Sequence, residues 1–451
     1  MAVMKSLLGL RGVLPTGRFF RGSVAIAAGT GAAQLISVAA QPILTRVYSP
    51  SEYGVFSVAI AFLFVLGSIT CLRYEYAIPL PDDDVAAANV FGLAMLLNIG
   101  LSLATAVGLW LFGSWLLALL GAPVLAPYVL LFAVTQFGIG INAALVNWAV
   151  RATDYSTIGV NRLTGAAVLA PVQIGLGFIG LGAPGLLLGA AAGTFAGSTR
   201  LARRAWHAHG PAFRGISWAG MLNEGQRYRR FPIFSSGSAL IAALGTRAPL
   251  LLLVAFYGAA VGGQYFLAER LLYLPLTLVA GAVGQVFNAE SARLIRGQQP
   301  RELRALFERT TWSLARMAIG PALLIAIAAP LVTAPVFGED WRDAGWYIAI
   351  LIPMFYLSFV TTATGNVLYV VERQPLQLVR EITRVVLLGG SVLVAAILDL
   401  PPVTTIAVLS VAGCITYVLY GLISWWALAN YRPRARRAET SAAADVPRVE
   451  W

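Results

Sequence analysis

The stretch Arg200–Arg230, RLARRAWHAHGPAFRGISWAGMLNEGQRYRR, is the longest polar interval in a chain of 451 residues. On both sides of it the sequence runs in apolar segments of about 20 residues, the length a helix needs to cross some 30 Å of hydrocarbon. Six precede it, near 22–43, 53–72, 86–112, 124–148, 158–181 and 184–200. Six follow, near 231–256, 262–287, 312–335, 344–370, 381–399 and 403–428. Hydrophobic residues make up 58% of the chain and charged ones 12%. A soluble protein of that composition could not cover its surface with polar atoms. The predicted fold is an all-α polytopic membrane protein with about 12 transmembrane helices in two six-helix bundles. The expected division is 1–21 as a basic lead-in, 22–200 and 231–428 as the bundles, 201–230 as a basic linker and 429–451 as a disordered tail.

The charge pattern orients these segments. The net charge is +12, and 31 of the 32 basic residues are Arg, Lys5 being the exception. With the N-terminus in the cytoplasm and alternating sides, 28 of the 32 fall on cytoplasmic segments, Arg46 and Arg342 fall outside, and Arg247 and Arg270 fall within spans. Cytoplasmic loops collect Lys and Arg, so both termini are expected to be cytoplasmic, and the charge needs no nucleic-acid partner. Six is an even number, so both halves enter the membrane in the same sense, which permits a parallel repeat. Gly54-Val-Phe56-Ser-Val-Ala59 opens span 2 and Gly263-Gln-Tyr265-Phe-Leu-Ala268 opens span 8, a short echo at equivalent places.

Few residues offer catalytic chemistry. Cys71 and Cys414 sit in apolar runs, and His207 and His209 form an H-x-H in the polar linker, where a solvated loop is the ordinary reading. No catalytic set and no metal site is expected. Asp82-Asp83-Asp84 imitates a D-x-D, but capping of span 3 explains it.

Ionisable residues inside spans are costly and point to function. Arg247 and Arg270 each lie roughly 15 Å from the outer end of their spans, level with each other near the midplane. Glu269 can pair with Arg247 as a structural ion pair, which leaves one guanidinium needing water or an anionic ligand. Polar residues also recur at helical spacing: Thr30, Gln34, Ser37, Gln41 and Thr45; Arg270, Tyr273, Thr277 and Gly281; Ser358, Thr362, Asn366, Tyr369 and Arg373; Gln136, Gly140, Asn147 and Arg151. Interhelical hydrogen bonds account for any one stripe. Stripes in both halves favour a shared hydrophilic cavity. A cationic cavity carrying Tyr, Asn, Gln and Thr suits an anionic glycan, because guanidinium grips phosphate in bidentate fashion.

The run Leu44–Phe56 (LTRVYSPSEYGVF), with Leu72–Ile78 (LRYEYAI) and Phe337–Gly345 (FGEDWRDAG), resembles signatures of the bacterial oligosaccharide flippases, the Wzx-type polysaccharide exporters of the multidrug/oligosaccharidyl-lipid/polysaccharide superfamily. The resemblance covers about Phe20 to Asn430. Each motif also has a structural reading: Ser49-Pro50-Ser51-Glu52 is a capping box, Phe337–Gly345 an interfacial anchor, and Arg73/Glu75 a rim salt bridge. The resemblance implies a V-shaped alternating-access transporter in the bacterial cytoplasmic membrane. Its implied cargo is an undecaprenyl-pyrophosphate-linked oligosaccharide repeat unit, carried from the inner to the outer leaflet for O-antigen, capsule or exopolysaccharide assembly. Implied partners are the surrounding lipids, a polysaccharide polymerase and chain-length machinery. Family cavity arginines would correspond to Arg46, Arg247 and Arg270 in the outer half and Arg151 and Arg373 in the inner half, with Tyr273, Gln34, Gln41 and Asn366 lining the cavity. No nucleotide-binding loop is present, so an H+ or Na+ gradient or downstream consumption would supply energy, and Glu269 is the candidate coupling carboxylate. The competing readings are a drug or metabolite exporter of the same superfamily, which would favour an acidic cavity, and a membrane glycan polymerase or ligase, which would need a large outer loop.

Overall fold

The computed structural model describes residues 18–431 apart from residue 372. The lead-in before residue 18 and the tail beyond residue 431, expected to be disordered, lie outside the described residues.

The described chain is helical, with no strand among the described residues. α1 is Arg18–Ala39, continued after a break by Gln41–Val47; α2 is Pro50–Gly67, α3 Asp84–Leu119, α4 Val129–Arg151, α5 Tyr155–Phe178 and α6 Gly182–Arg214. The helix Ser236–Pro275 holds two membrane passes, α7 (236–257) and α8 (259–275), and α8 runs on through Leu276–Ala280 to Arg296. α9 is Pro300–Phe337, α10 Arg342–Thr362, α11 Gln374–Arg384 carried on to Ile397, and α12 Pro402–Ala429. Seven helical stretches are long and apolar enough to cross a membrane, and Phe231–Arg296 serves for two passes. α1, α5, α6 and α11 complete the twelve and carry more polar residues.

The reversal between α7 and α8 follows from one ion pair. A straight helix would separate Arg247 from Glu269 by roughly 33 Å, yet their side chains meet at 3.2 Å. The chain turns back at Gly258, midway between them, where φ is +86°. Only glycine takes that conformation without strain.

Within the first half α1 packs on α5, α5 on α6, α3 on α4 and α4 on α6; within the second, α9 packs on α10 and α10 on α12. The halves meet chiefly where α2 crosses α7 and α8. A Cβ on Gly54 would overlap the Ala259 carbonyl, and one on Gly263 would overlap the Pro50 carbonyl. The same sequence offset relates Gly54 to Gly263 and Pro50 to Ala259, so the echo seen in the sequence is a pseudo-twofold contact between the halves.

Two cap expectations match the structure. Ser49 and Glu52 form the full capping box at α2, with Pro50 in the first turn. Asp83 caps α3, accepting from the Ala86 amide at 2.9 Å. The linker differs from the solvated loop expected for it. α6 runs on to Arg214 across a kink at His209, and a second helix spans Trp218–Arg227. Its aromatic residues explain this: Phe213 and His209 pack their rings against Trp148 at 4.5 and 5.5 Å. Those contacts tie the segment around the kink back to α4.

Candidate functional site

The site is built from a closed gate, a charge centre below it and a polar cavity in the first bundle. The gate gathers residues of two family-like motifs at the Gly258 end. Trp341 is buried and donates its indole N–H to the Thr45 carbonyl at 2.8 Å. Its ring meets Tyr53 edge-on at 5.0 Å. Gln264 clasps the same turn from α8, accepting from the Ala344 amide at 2.8 Å and donating to the Asp340 carbonyl. Arg46 donates to the Pro335 carbonyl at 3.2 Å, across the two halves. An aromatic in edge contact contributes about 0.5–1.5 kcal/mol beyond its buried area, so several such contacts hold this end shut. The third motif lies at the other end: Leu72 and Arg73, both at positive φ, make the turn after α2, with Arg73 4.0 Å from the buried Glu75.

Below the gate α7 and α8 place three charged side chains. Glu269 is buried and accepts from Arg247 at 3.2 Å. The Arg247 guanidinium also lies over the Phe64 ring, 4.5 Å from its centroid. Arg270, the next residue on α8, makes no ion pair or hydrogen bond among the described residues. Its electrostatic neighbour is the phenol of Tyr53, in the gate above. The centre therefore carries one neutralised pair and one uncompensated positive charge. A charge at that depth costs about 2.5–3.5 kcal/mol even on the lenient insertion scale, which argues for a role. Tyr273, one turn below, sets its ring edge-on to Phe355 at 5.4 Å.

The first bundle carries an open polar pocket of about 470 Å³ between α1, α4, α5 and α6. Its polar lining includes Gln34, Asn142, Asn161 and Arg162. Asn142 donates to Asn161 at 3.1 Å and to Ser198 at 2.9 Å. Arg162 donates to the Thr30 hydroxyl. The sequence reading counted Arg162 with the cytoplasmic edge and missed it as a cavity residue. The available signal was its place one residue after Asn161, in a helix that already carried Gln173.

The remaining expected site residues divide. Gln41 is fully buried, donating to the Ser37 carbonyl at 2.7 Å and accepting from Tyr53 at 3.1 Å, so it braces the gate instead of lining a cavity. The α1 stripe is broken because Pro42 has no N–H to continue the helix, and the chain beyond Ala40 rotates Gln41 and Thr45 inward. Arg46 is likewise at the gate. Arg151 is engaged outside the cavity, donating to Asp84 at 2.8 Å and to the carbonyls of Pro81 and Asp82. The α10 stripe also breaks: the helix ends at Thr362, and Arg380 takes the Gly365 carbonyl at 2.8 Å. Asn366 and Arg373 are exposed beyond that break.

The Arg151 hydrogen bond holds the Asp84 carboxyl below the usual aspartate range, with further attraction from Arg151 and His209. A lowered acid pKa contributes stability that is present above the unfolded value, about 3.9, and lost as pH falls through the folded one. Asp84 is half exposed, so the effect is small. The melting-temperature gap between the wild type and Arg151→Ala in detergent should be full at pH 6 and narrow below pH ~4. A gap that does not change with pH would remove the Asp84 partner from the account.

Comparison with known proteins agrees with this architecture. The multidrug transporter of the MATE family in its inward-facing conformation superposes with a TM-score of 0.62 at 15% identity, covering 95% of this chain and 98% of that one. The lipid II flippase MurJ, in an inward closed conformation, gives 0.67 at 14% identity, covering 89% and 87%. At such identities the likeness concerns the fold, that of twelve-helix membrane transporters. The succinoglycan biosynthesis transport protein ExoT of Rhizobium meliloti (strain 1021) is 26% identical over 322 residues, 69% of this chain. The match takes in 60% of ExoT's own length. These relatives are transporters and a flippase, not enzymes. Residues 43–345 match the family model described as polysaccharide biosynthesis protein, a stretch that includes the Leu44–Phe56 run, the gate and the charge centre, and the chain belongs to that family.

Proposed function

We propose that this protein flips an undecaprenyl-pyrophosphate-linked oligosaccharide repeat unit from the inner to the outer leaflet of the bacterial cytoplasmic membrane. The carried glycan would enter surface polysaccharide such as O-antigen, capsule or exopolysaccharide. The observation that carries this reading is the unpartnered Arg270 guanidinium beneath the closed gate, beside the Arg247–Glu269 pair. A cation so placed calls for an anionic guest, and a pyrophosphate presents oxygens for bidentate capture. An exporter of lipophilic cations would want the opposite sign at this point. The amide-lined cavity of the first bundle offers hydrogen-bond donors and acceptors to sugar hydroxyls, with Gln34, Asn142 and Arg162 as contacts. The names of ExoT and MurJ support the same substrate class.

In this reading the Gly258 end faces outward and the Arg-rich end, with both termini, faces the cytoplasm, following the distribution of basic residues. The structure then corresponds to a state shut on the outside. Glu269 is the coupling carboxylate for an H+ or Na+ gradient, since loading or release of a cation there would change the charge that Arg247 and Arg270 present to the cargo. A polysaccharide polymerase and its chain-length partner would receive the flipped product. Within 22–200 and 231–428 the bundles act as the rocking units.

The test is the leaflet location of the lipid-linked oligosaccharide after depletion of the protein, read in intact spheroplasts with an impermeant glycan-cleaving enzyme. A protected, accumulating intermediate is expected, and Arg270→Ala should reproduce the block without melting below the wild type, because no ion partner is orphaned and the cost of an uncompensated charge is removed. An intermediate that is accessible but unpolymerised would place the protein after the flip and end the reading.

A further inference from the structure

α9 carries cations that neither the gate nor the charge centre uses. Arg309 and Arg316 lie seven residues apart, two helical turns or about 10.5 Å along the axis. Trp312 falls between them at three- and four-residue spacing and therefore shares their face. All three are exposed, and with Ser313 and Met317 they border an open cleft of about 730 Å³. The same face continues through Ile319, Leu323, Ile327 and Leu331, each more than half exposed. No charged residue occurs from Met317 to Phe337. This flank of α9 thus looks out at lipid, away from the polar cavity. Arg309, Trp312 and Arg316 stand where the helix leaves the hydrocarbon, the level at which tryptophan concentrates.

Nearby acids do not neutralise the pair. Glu308 accepts from Arg304 at 2.9 Å and from Trp425 at 3.1 Å on another face. Glu302 accepts from Gln299 at 3.0 Å. Neither Arg309 nor Arg316 is paired with a carboxylate among the described residues. Two free guanidinium forks flanking an indole at headgroup depth are complementary to a phosphodiester, which each fork can bind through two N–H groups.

We propose that the Arg309–Trp312–Arg316 face of α9 is a binding site for the phosphate of an anionic phospholipid of the surrounding leaflet. The occupant is a bulk lipid and not the cargo, because the face is continuous with the lipid-exposed row and not with the interior of either bundle. This inference stands apart from the identity of the carried glycan.

The test is native mass spectrometry of the purified full chain with phosphatidylglycerol or phosphatidylcholine added to the detergent. Wild-type protein should retain phosphatidylglycerol over phosphatidylcholine. The double variant R309Q/R316Q should lose that retention by fivefold or more, and R301Q, an equal change of charge per site at another exposed arginine of α9, should not. R309K/R316K, which keeps the charge but not the fork, should retain an intermediate amount and serves if the glutamine variant fails to fold. Equal retention of the two lipids, an equal loss in R301Q, or unaltered binding in the double variants would overturn the proposal. So would displacement of phosphatidylglycerol from the wild type by stoichiometric undecaprenyl pyrophosphate, which would make the face a cargo site.

Discussion

Replacing Gly54 with valine should force the Gly258 end of the transporter open. The added side chain would overlap the Ala259 carbonyl, and a backbone atom at the crossing of two helices cannot rotate aside as a side chain could. Overpacking a close contact costs about 1–3 kcal/mol, and a main-chain obstacle belongs at the upper end. At about 1.4 kcal/mol per factor of ten, the closed state would fall ten- to a hundredfold in population relative to the open one. Thr45, buried behind Trp341 in the closed gate, supplies the readout. In a cysteine-free background, T45C should react with an impermeant maleimide at least tenfold faster once G54V is added. G263V should act in the same way, since Gly263 meets the Pro50 carbonyl in the pseudo-symmetric contact. G100V, on α3 with nothing within 4 Å of its new Cβ, should not. Transport should fail in both gate variants, because a carrier that cannot close one end cannot alternate. Unchanged labelling in a folded G54V protein would mean that the crossing does not form the gate.

The Arg247–Glu269 pair should behave asymmetrically when it is dismantled. Glu269→Gln leaves the largely buried Arg247 guanidinium facing a neutral amide and the Phe64 ring, with no counter-charge. Breaking a buried pair from one side costs about 3–5 kcal/mol, and the Phe64 contact, already present in the wild type, does not offset it. Arg247→Met leaves a carboxyl that can take up a proton and become neutral, so its loss of stability should be smaller. The double variant R247M/E269Q leaves neither member of the pair charged and should melt near the wild type. Thermal unfolding of the purified protein checks the order of the four. If Glu269 couples transport to an ion, the double variant will be folded and inactive. A double variant that is folded and fully active would reduce the pair to a structural clasp and leave Arg270 alone as the functional charge.

Much of the candidate site was legible because a bilayer penalises charge at every depth. Arg247, Glu269 and Arg270 declared themselves by being ionisable in apolar runs, and equal distance from a common turn placed them level with one another. The same logic failed where helices are interrupted. Extending a three- and four-residue stripe assumes an unbroken helix, and α1 breaks before Pro42 while α10 stops at Thr362. Gln41 therefore reaches the core beside Tyr53, and Asn366 and Arg373 lie beyond the end of the face they were expected to share. Arg151 lay on an intact helix, yet Asp84 and two carbonyls of the preceding turn drew its guanidinium out of line. Competition between ion partners distant in sequence cannot be read from one helix alone.

Sequence by itself determined that the chain is a membrane protein of twelve spans in two halves, because hydrocarbon thickness sets segment length and the leaflet fields sort Arg to one side. It also marked the buried charges and, through a six-residue echo, the place where the halves touch. Only the tertiary structure decided which arginine is paired and which is free, that Arg162 borders an open polar pocket of the first bundle, and that residues of two distinctive motifs meet at the Gly258 end. Each of these depends on which side chain reaches a given partner first across helices far apart in the chain, and that is settled by packing geometry and not by the polarity of the residues.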